Sequence, residues 1–389
     1  MRLALLFGAL LLQLAQAKIL LPGTAGPCRV ESKSTQLTDK SRVDPYSPKN
    51  ESRSIVVTSF APVHCGNSQS VPYLLPKIAQ AAGQGLGFPN NTLDLFRLSS
   101  FSSGNQQPLG QSKNHTKEDL PVIFFSPGLG SSRFLYANLL QEVASMGFVI
   151  LSIDHPHDAG AVELTDGRVI PLAMNVTKNL NQALDVRVAD VRFALDRLTD
   201  NGRSILPTKF SQKLQLDRVV AIGHSLGGAT AAQAMHEDRR FVGGVNFDGM
   251  LVGSVVEKGL DRPFINFGHS GPLGPKEGYA TWGEVWPHLR GFRLQLQLKG
   301  AEHMTFTDMP VVLDSAPSAR MLRNDSVSHL GQLPGVGTLP GVGSLPGLRV
   351  RTILTEFITA ASHFFLSGKK SQLLTGPSSQ YPELVYMRR

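Results

Sequence analysis

From Leu120 onward, short apolar runs alternate with amphipathic stretches. PVIFF (121–125) is a continuous apolar run, the pattern of a strand buried on both faces. Between Phe134 and Met146, Leu135, Leu139, Leu140 and Val143 fall on one helical stripe, which Gly147 ends. FVILSID (148–154) predicts the next buried strand, and Arg187 to Leu198 a helix with Val188, Val191, Leu195 and Leu198 on one face. RVVAIG (218–223), FVGGVNF (241–247), PFINFGH (263–269) and FRLQLQL (292–298) read as further strands, and 351–366 as a closing helix. This alternation predicts an α/β domain: a mainly parallel sheet with helices on both faces.

That core covers 118–370. Residues 18–117 are more irregular and read as an N-terminal extension of edge strands and loops, with a strand at 54–63, a short helix at 73–82 and an exposed loop at 99–117. Within the core, 310–350 is a Pro/Gly-rich insertion. From Leu333 it repeats LPGVGT-LPGVGS-LPGLRV with a period of six, and its composition predicts a flexible surface loop. Residues 371–389 read as a polar, loosely held tail.

The termini and composition narrow the setting. Arg2, the apolar run Leu3–Leu14 and the small-x-small site Ala15-Gln16-Ala17 form a secretory signal over residues 1–17. The expected location is therefore extracellular. Acceptor triplets for N-glycosylation stand at Asn50, Asn90, Asn114, Asn175 and Asn324. The two cysteines, Cys28 and Cys65, are expected to pair in an oxidising compartment; closing that loop contributes roughly 4 kcal/mol on the chain-entropy model. Net charge is +8 without a dense basic run, which argues against nucleic acid and allows at most a mild attraction to anionic lipid surfaces.

Chemistry enters at Gly223-His224-Ser225-Leu226-Gly227, a G-x-S-x-G sequence lying directly between a strand and a small-residue helix start. That context defines a nucleophile elbow, in which side chains at Gly223 or Gly227 would collide across the turn. Ser225 is the expected nucleophile and the fold the α/β-hydrolase fold. Two backbone N–H groups should form the oxyanion hole: Leu226, just after the nucleophile, and Leu129, in the glycine turn after PVIFF. Chain order then asks for an acid and a histidine beyond later strands. Asp248 lies at the carboxyl end of FVGGVNF, directly after it and 23 positions after Ser225 (248 − 225); Asp261 precedes its strand and Glu302 adjoins the histidine. His303 follows the last core strand, with His269 as its rival one strand earlier. Asp154-His155-Pro156-His157-Asp158 reads as a loop lining the site, and Trp282 and Trp286 as core aromatics. No metal or cofactor is expected.

FSPGLG with Arg133-Phe134-Leu135-Tyr136, then GHSLGG, Asp248 and KGAEHMTFTD, together with Val43-Asp44-Pro45-Tyr46, resemble the platelet-activating factor acetylhydrolases, in particular their secreted fungal group. The resemblance spans about Leu20 to Pro310 and the final helix, and it implies the same triad, Ser225, Asp248 and His303, with Leu129 and Leu226 as oxyanion donors. It further implies metal-independent cleavage of short or oxidised sn-2 acyl chains from phospholipids, so the partner is a small or lipid ester substrate. The Leu-Pro-Gly repeat has no counterpart in that pattern. A general carboxylesterase or polyester hydrolase, and a non-catalytic hydrolase-fold binding protein, stay open as alternatives.

Overall fold

The structure is a computed structural model that describes residues 17–63, 67–102, 119–173, 175–270, 280–316, 329–333 and 337–389. The apolar runs become the central strands of one nine-stranded sheet. In chain order these are β1 (Arg29–Val43), β2 (Ser52–Val63), β3 (Leu120–Ser126), β4 (Val149–Asp154), β5 (Leu214–His224), β6 (Phe241–Phe247), β7 (Phe264–His269), β8 (Arg293–Leu298) and β9 (Leu384–Arg388). Their spatial order is β9-β8-β7-β6-β5-β3-β4-β2-β1. Strands β3 to β8 run parallel; β1, β2 and β9 are antiparallel additions at the two edges.

Successive side chains of the central strands serve opposite faces. Ile123 and Phe125 join one apolar cluster with Leu139 and Val143 of α2 (Ala137–Ser145) and with α6 (Gly347–Ser367). Val122 and Phe124 join the other, with α3 (Leu180–Ile205) and α4 (Leu226–Glu237). Both faces are covered, which is why these strands read as continuous apolar runs and not as alternations. Two further helices matter below: α1 (Pro76–Gly85) in the extension and α5 (Met309–Ser315) after β8.

Three segments differ from the sequence expectation. Strand β1 is long but polar; as an edge strand it buries little beyond Val30 and Leu37, so it carries no apolar run. The C-terminal tail is not loose: β9 pairs with β8, Lys299 N–H donates to the Glu383 carbonyl (2.8 Å), and Leu374, Tyr381 and Leu384 are buried. The Pro/Gly-rich insertion contains α5, an antiparallel hairpin of His329–Leu333 with Gly337–Pro340, and a buried Val342.

Asn50, Asn90 and Asn175 lie at exposed positions. Asn114 and Asn324 lie outside the described residues, as do the signal residues 1–16 and Cys65, the expected partner of the half-buried Cys28. Among the described residues no helix is long and apolar enough to cross a membrane.

Candidate active site

Parallel strands in register deliver their carboxyl ends to one rim, where side chains on the following turns can meet. Ser225 follows β5, Asp248 follows β6, His303 lies beyond β8, and Leu129 lies beyond β3. Register pairs His224 with Phe247 and Gly223 with Ser126, so all four turns open on the same edge.

The elbow has the expected strain. Ser225 sits at φ 56° and ψ −126°, a region that residues with a Cβ rarely occupy. Its backbone N–H donates to the Phe247 carbonyl (2.8 Å), and its own carbonyl accepts from Gly228 (2.8 Å). A Cβ on Gly227 would overlap the Ser126 carbonyl, so this crossing of β3 and the elbow requires glycine. A Cβ on Gly128 would lie 3.2 Å from Ser225 Cβ, which sets the FSPGLG turn directly against the nucleophile.

In that turn, Ser131 N–H donates to the Gly128 carbonyl (3.0 Å) and Gly130 N–H to the Asp158 carbonyl (3.0 Å). The N–H groups of Leu129 and Leu226 have no acceptor among the described residues. Both belong to the turns that flank Ser225, and Leu226 opens α4, whose amino end carries partial positive charge.

Asp248 is buried, at φ 55°, and accepts from two imidazoles. His303 Nδ1–H donates to Oδ2 (2.6 Å); His269 Nδ1–H lies 2.8 Å from both carboxylate oxygens, and the His269 backbone N–H donates to Oδ1 (2.9 Å). Burial pushes this carboxyl up, but the hydrogen bonds and charges of His269 and His303 outweigh it and hold it well below the usual carboxylate range. The rival histidine of the sequence thus shares the acid with its competitor. Their exposure separates them: the side chain of His303 is 23% exposed and that of His269 7%. The His303 ring also lies 4.5 Å from that of His224, the residue preceding Ser225. Ser225 and His303 are the partly open members of the group. The Ser225 hydroxyl makes no hydrogen bond among the described residues, and such a bond commonly tightens only when substrate is bound.

A second chain of hydrogen bonds joins the turns behind the site. Gly128 N–H donates to Tyr136 Oη (3.1 Å), Tyr136 O–H to His224 Nδ1 (2.8 Å), and His224 Nε2–H to the His303 carbonyl (3.0 Å). A carbonyl can only accept, so Nε2 carries the proton and Nδ1 must accept from the phenol. Burial first, then the neighbouring His303, drive the His224 pKa well below its ordinary value, which preserves this neutral tautomer. Sequence reasoning gives His224 and Tyr136 no catalytic role; neither shows its partner in the linear pattern. We expect Tyr136→Phe, which strands two buried partners, to lower kcat roughly tenfold with KM little changed. Steady-state rates on a short aryl ester test this; an unchanged kcat would show that the chain is decorative.

Asp154–Asp158 does not line the site. Asp154 pairs with Arg133 and Asp158 with Arg187, while His155 bridges Asp190 (2.9 Å) and Ser126 (3.0 Å). Arg187 also donates to the Pro127 carbonyl (2.6 Å), so this buried network props the FSPGLG turn from below. Ser126, His155 and Asp190 have the connectivity of a triad, but all three are fully buried, so no substrate reaches them. Trp282 is buried, its indole N–H on the Gly249 carbonyl (2.7 Å), where it fixes the turn after Asp248. A cavity of about 340 Å³ lies beside the rim, walled by Ala82 and Leu86 at and just past the end of α1, by Gly130, Ser131 and Ser132, and by Met304.

Fold and site together define a carboxylic ester hydrolase of the α/β-hydrolase class. The chain matches the family described as platelet-activating factor acetylhydrolase, isoform II, over residues 47–323, and it belongs to that family. A probable 1-alkyl-2-acetylglycerophosphocholine esterase of Arthroderma benhamiae is 28% identical over 401 aligned residues, 95% of this chain and 94% of that protein. The platelet-activating factor acetylhydrolase of Bos taurus is 31% identical over 182 residues, 39% of this chain and 40% of that protein. Among solved structures, a ferulic acid esterase from Streptomyces cinnamoneus superposes with a TM-score of 0.77 at 27% identity, covering 96% of this chain and all of that one.

Proposed function

We propose that this protein is a secreted serine esterase that cleaves short or oxidised sn-2 acyl groups from phospholipids. One observation carries the reading: the 2.6 Å hydrogen bond from His303 to buried Asp248, on the rim where the strained Ser225 turn stands open. In the reaction, His303 Nε2 takes the Ser225 proton as Oγ attacks the ester carbonyl, and Asp248 steadies the resulting imidazolium. The N–H groups of Leu129 and Leu226 hold the oxyanion. Collapse expels the alcohol, which leaves with the proton from His303. Water, deprotonated by the same imidazole, then cleaves the acyl-enzyme and restores Ser225.

The family supports a phospholipid substrate, and the apolar-walled cavity beside the rim offers room for an acyl group longer than acetyl. The signal pattern and the exposed Asn50, Asn90 and Asn175 support export, and the net charge of +8 favours loose contact with anionic lipid surfaces. A second reading, a carboxylesterase on non-phospholipid esters, draws support from the likeness to the ferulic acid esterase. Turnover on acetyl-phospholipid, long-chain phospholipid, short aryl and feruloyl esters separates them. The first reading expects acetyl-phospholipid to be preferred over long-chain phospholipid by roughly a hundredfold in kcat/KM, as a pocket of limited length imposes over several methylenes. Feruloyl esters leading the series would overturn it.

A further inference from the structure

By composition the Leu-Pro-Gly repeat is decoration, but its backbone contacts give it a place in the site. The backbone of the hairpin runs beside α1 at His329–Leu333 and beside the turn His303–Phe306 at Gly337–Pro340. The second repeat unit then runs along the histidine loop. The Gly341 carbonyl accepts Met304 N–H (3.1 Å), the Val342 carbonyl accepts the Thr305 hydroxyl (2.7 Å), and Ser344 N–H donates to the Gly300 carbonyl (2.8 Å). These bonds bracket His303 on both sides in sequence.

Glycine spacing makes the approach possible. Gly343 stands at φ 70°, and a Cβ there would overlap the Gly300 carbonyl and lie 3.0 Å from Ala301 Cα. Four residues on, in the third unit, a Cβ on Gly347 would overlap the Pro310 backbone at the start of α5. The repeat thus meets the polypeptide twice at glycine distance, first at the histidine loop and then at the helix that follows it.

The histidine turn needs such support. It is a single 3-10 turn, His303–Phe306. Its downstream side is anchored by Asp308, whose carboxylate accepts from the backbone N–H groups of Asn138 (2.8 Å) and Leu139 (2.9 Å) in α2. Its upstream side, at Gly300, and its middle, at Met304 and Thr305, are anchored by the repeat. Thr305 is the joint: its hydroxyl accepts Glu302 N–H (2.8 Å) and donates to Val342. We infer that the second Leu-Pro-Gly unit is a clamp for the histidine loop, and that Thr305 is the positioning residue through which it acts. The inference rests on the reading of His303 as the base.

Thr305→Val keeps the shape and removes the hydroxyl, Thr305→Ser restores it, and Gly343→Ala presses on the loop from the other side. A displacement of about 1 Å in a catalytic group costs on the order of a hundredfold in rate. Thr305→Val and Gly343→Ala should therefore each lower kcat by roughly ten- to a hundredfold with KM within about threefold, while Thr305→Ser stays within about threefold of the unaltered enzyme. Labelling of Ser225 by a fluorophosphonate should slow by the same factor as kcat, since both need the imidazole, and a loss of overall stability alone would not couple them. Should Gly343→Ala fail to fold, the Thr305 pair decides. Near-normal kcat in Thr305→Val, or Thr305→Ser falling as far as Thr305→Val, would overturn the clamp. His303→Ala is run alongside: if it keeps activity, the reading of the base fails, and the clamp with it. If it is inactive while Thr305→Val is normal, the clamp alone fails.

Discussion

Ser225→Ala should lower kcat/KM by at least roughly a thousandfold and leave the thermal midpoint almost unchanged. The first half follows from chemistry: without Oγ no acyl-enzyme forms, and the oxyanion donors and the cavity can only bind. The second follows from the elbow. The hydrogen bonds that fix Ser225 use its backbone N–H and carbonyl, and alanine keeps both. Alanine also keeps the Cβ, so it neither adds nor removes strain at φ 56°. Ser225→Gly does remove it and should raise stability by about 1 kcal/mol, with the same loss of activity. A fluorophosphonate adduct read by mass spectrometry on the peptide bearing residue 225 checks the assignment. Equal labelling of the unaltered enzyme and the alanine variant would rule Ser225 out as nucleophile.

The parts of this protein that show in the sequence are those whose constraint is local. A strand covered on both faces is apolar along most of its length, so the runs in β3 to β7 announce themselves, while β8, RLQLQL, shows as an alternation. An elbow needs glycines two residues either side of the serine, so Gly223 and Gly227 mark it. What stayed hidden depends on partners far away in the chain. Strand β9 is short and partly polar, and only its pairing with β8 makes it a strand. His269 looked like a competitor for His303 because linear order cannot show two imidazoles reaching one carboxylate from adjoining strand ends. The histidines and acids of 154–158 suggested a loop lining the site, whereas Arg133, Asp190 and Arg187 take Asp154, His155 and Asp158 into a buried network. The Leu-Pro-Gly repeat misled by composition: glycine that signals a turn in isolation signals close approach when a second backbone lies against it.

Asp248→Asn should lower kcat by roughly ten-thousandfold while KM changes little, and the shared carboxylate explains why the loss should be so complete. Oδ1 accepts the His269 backbone N–H, a donor that cannot turn away, at 2.9 Å. In the variant the amide oxygen is required there, which leaves the NH2 group facing His303. Only an acceptor satisfies that NH2, so His303 Nδ1 loses its proton and Nε2 gains it. An imidazole in that tautomer cannot take the Ser225 proton. His269→Gln, by contrast, leaves the bond between His303 and Asp248 in place and should cost no more than about tenfold, the scale of one supporting hydrogen bond. The pH profile adds a sign. Because its two imidazole partners hold Asp248 well below the usual carboxylate range, it stays ionised as pH falls through the working range. The acid limb of kcat/KM in the unaltered enzyme, along which rates fall as pH drops, is therefore not set by protonation of Asp248. A variant series in which His269→Gln is the inactive enzyme and Asp248→Asn the tolerant one would transfer the base to His269 and remove His303 from the chemistry.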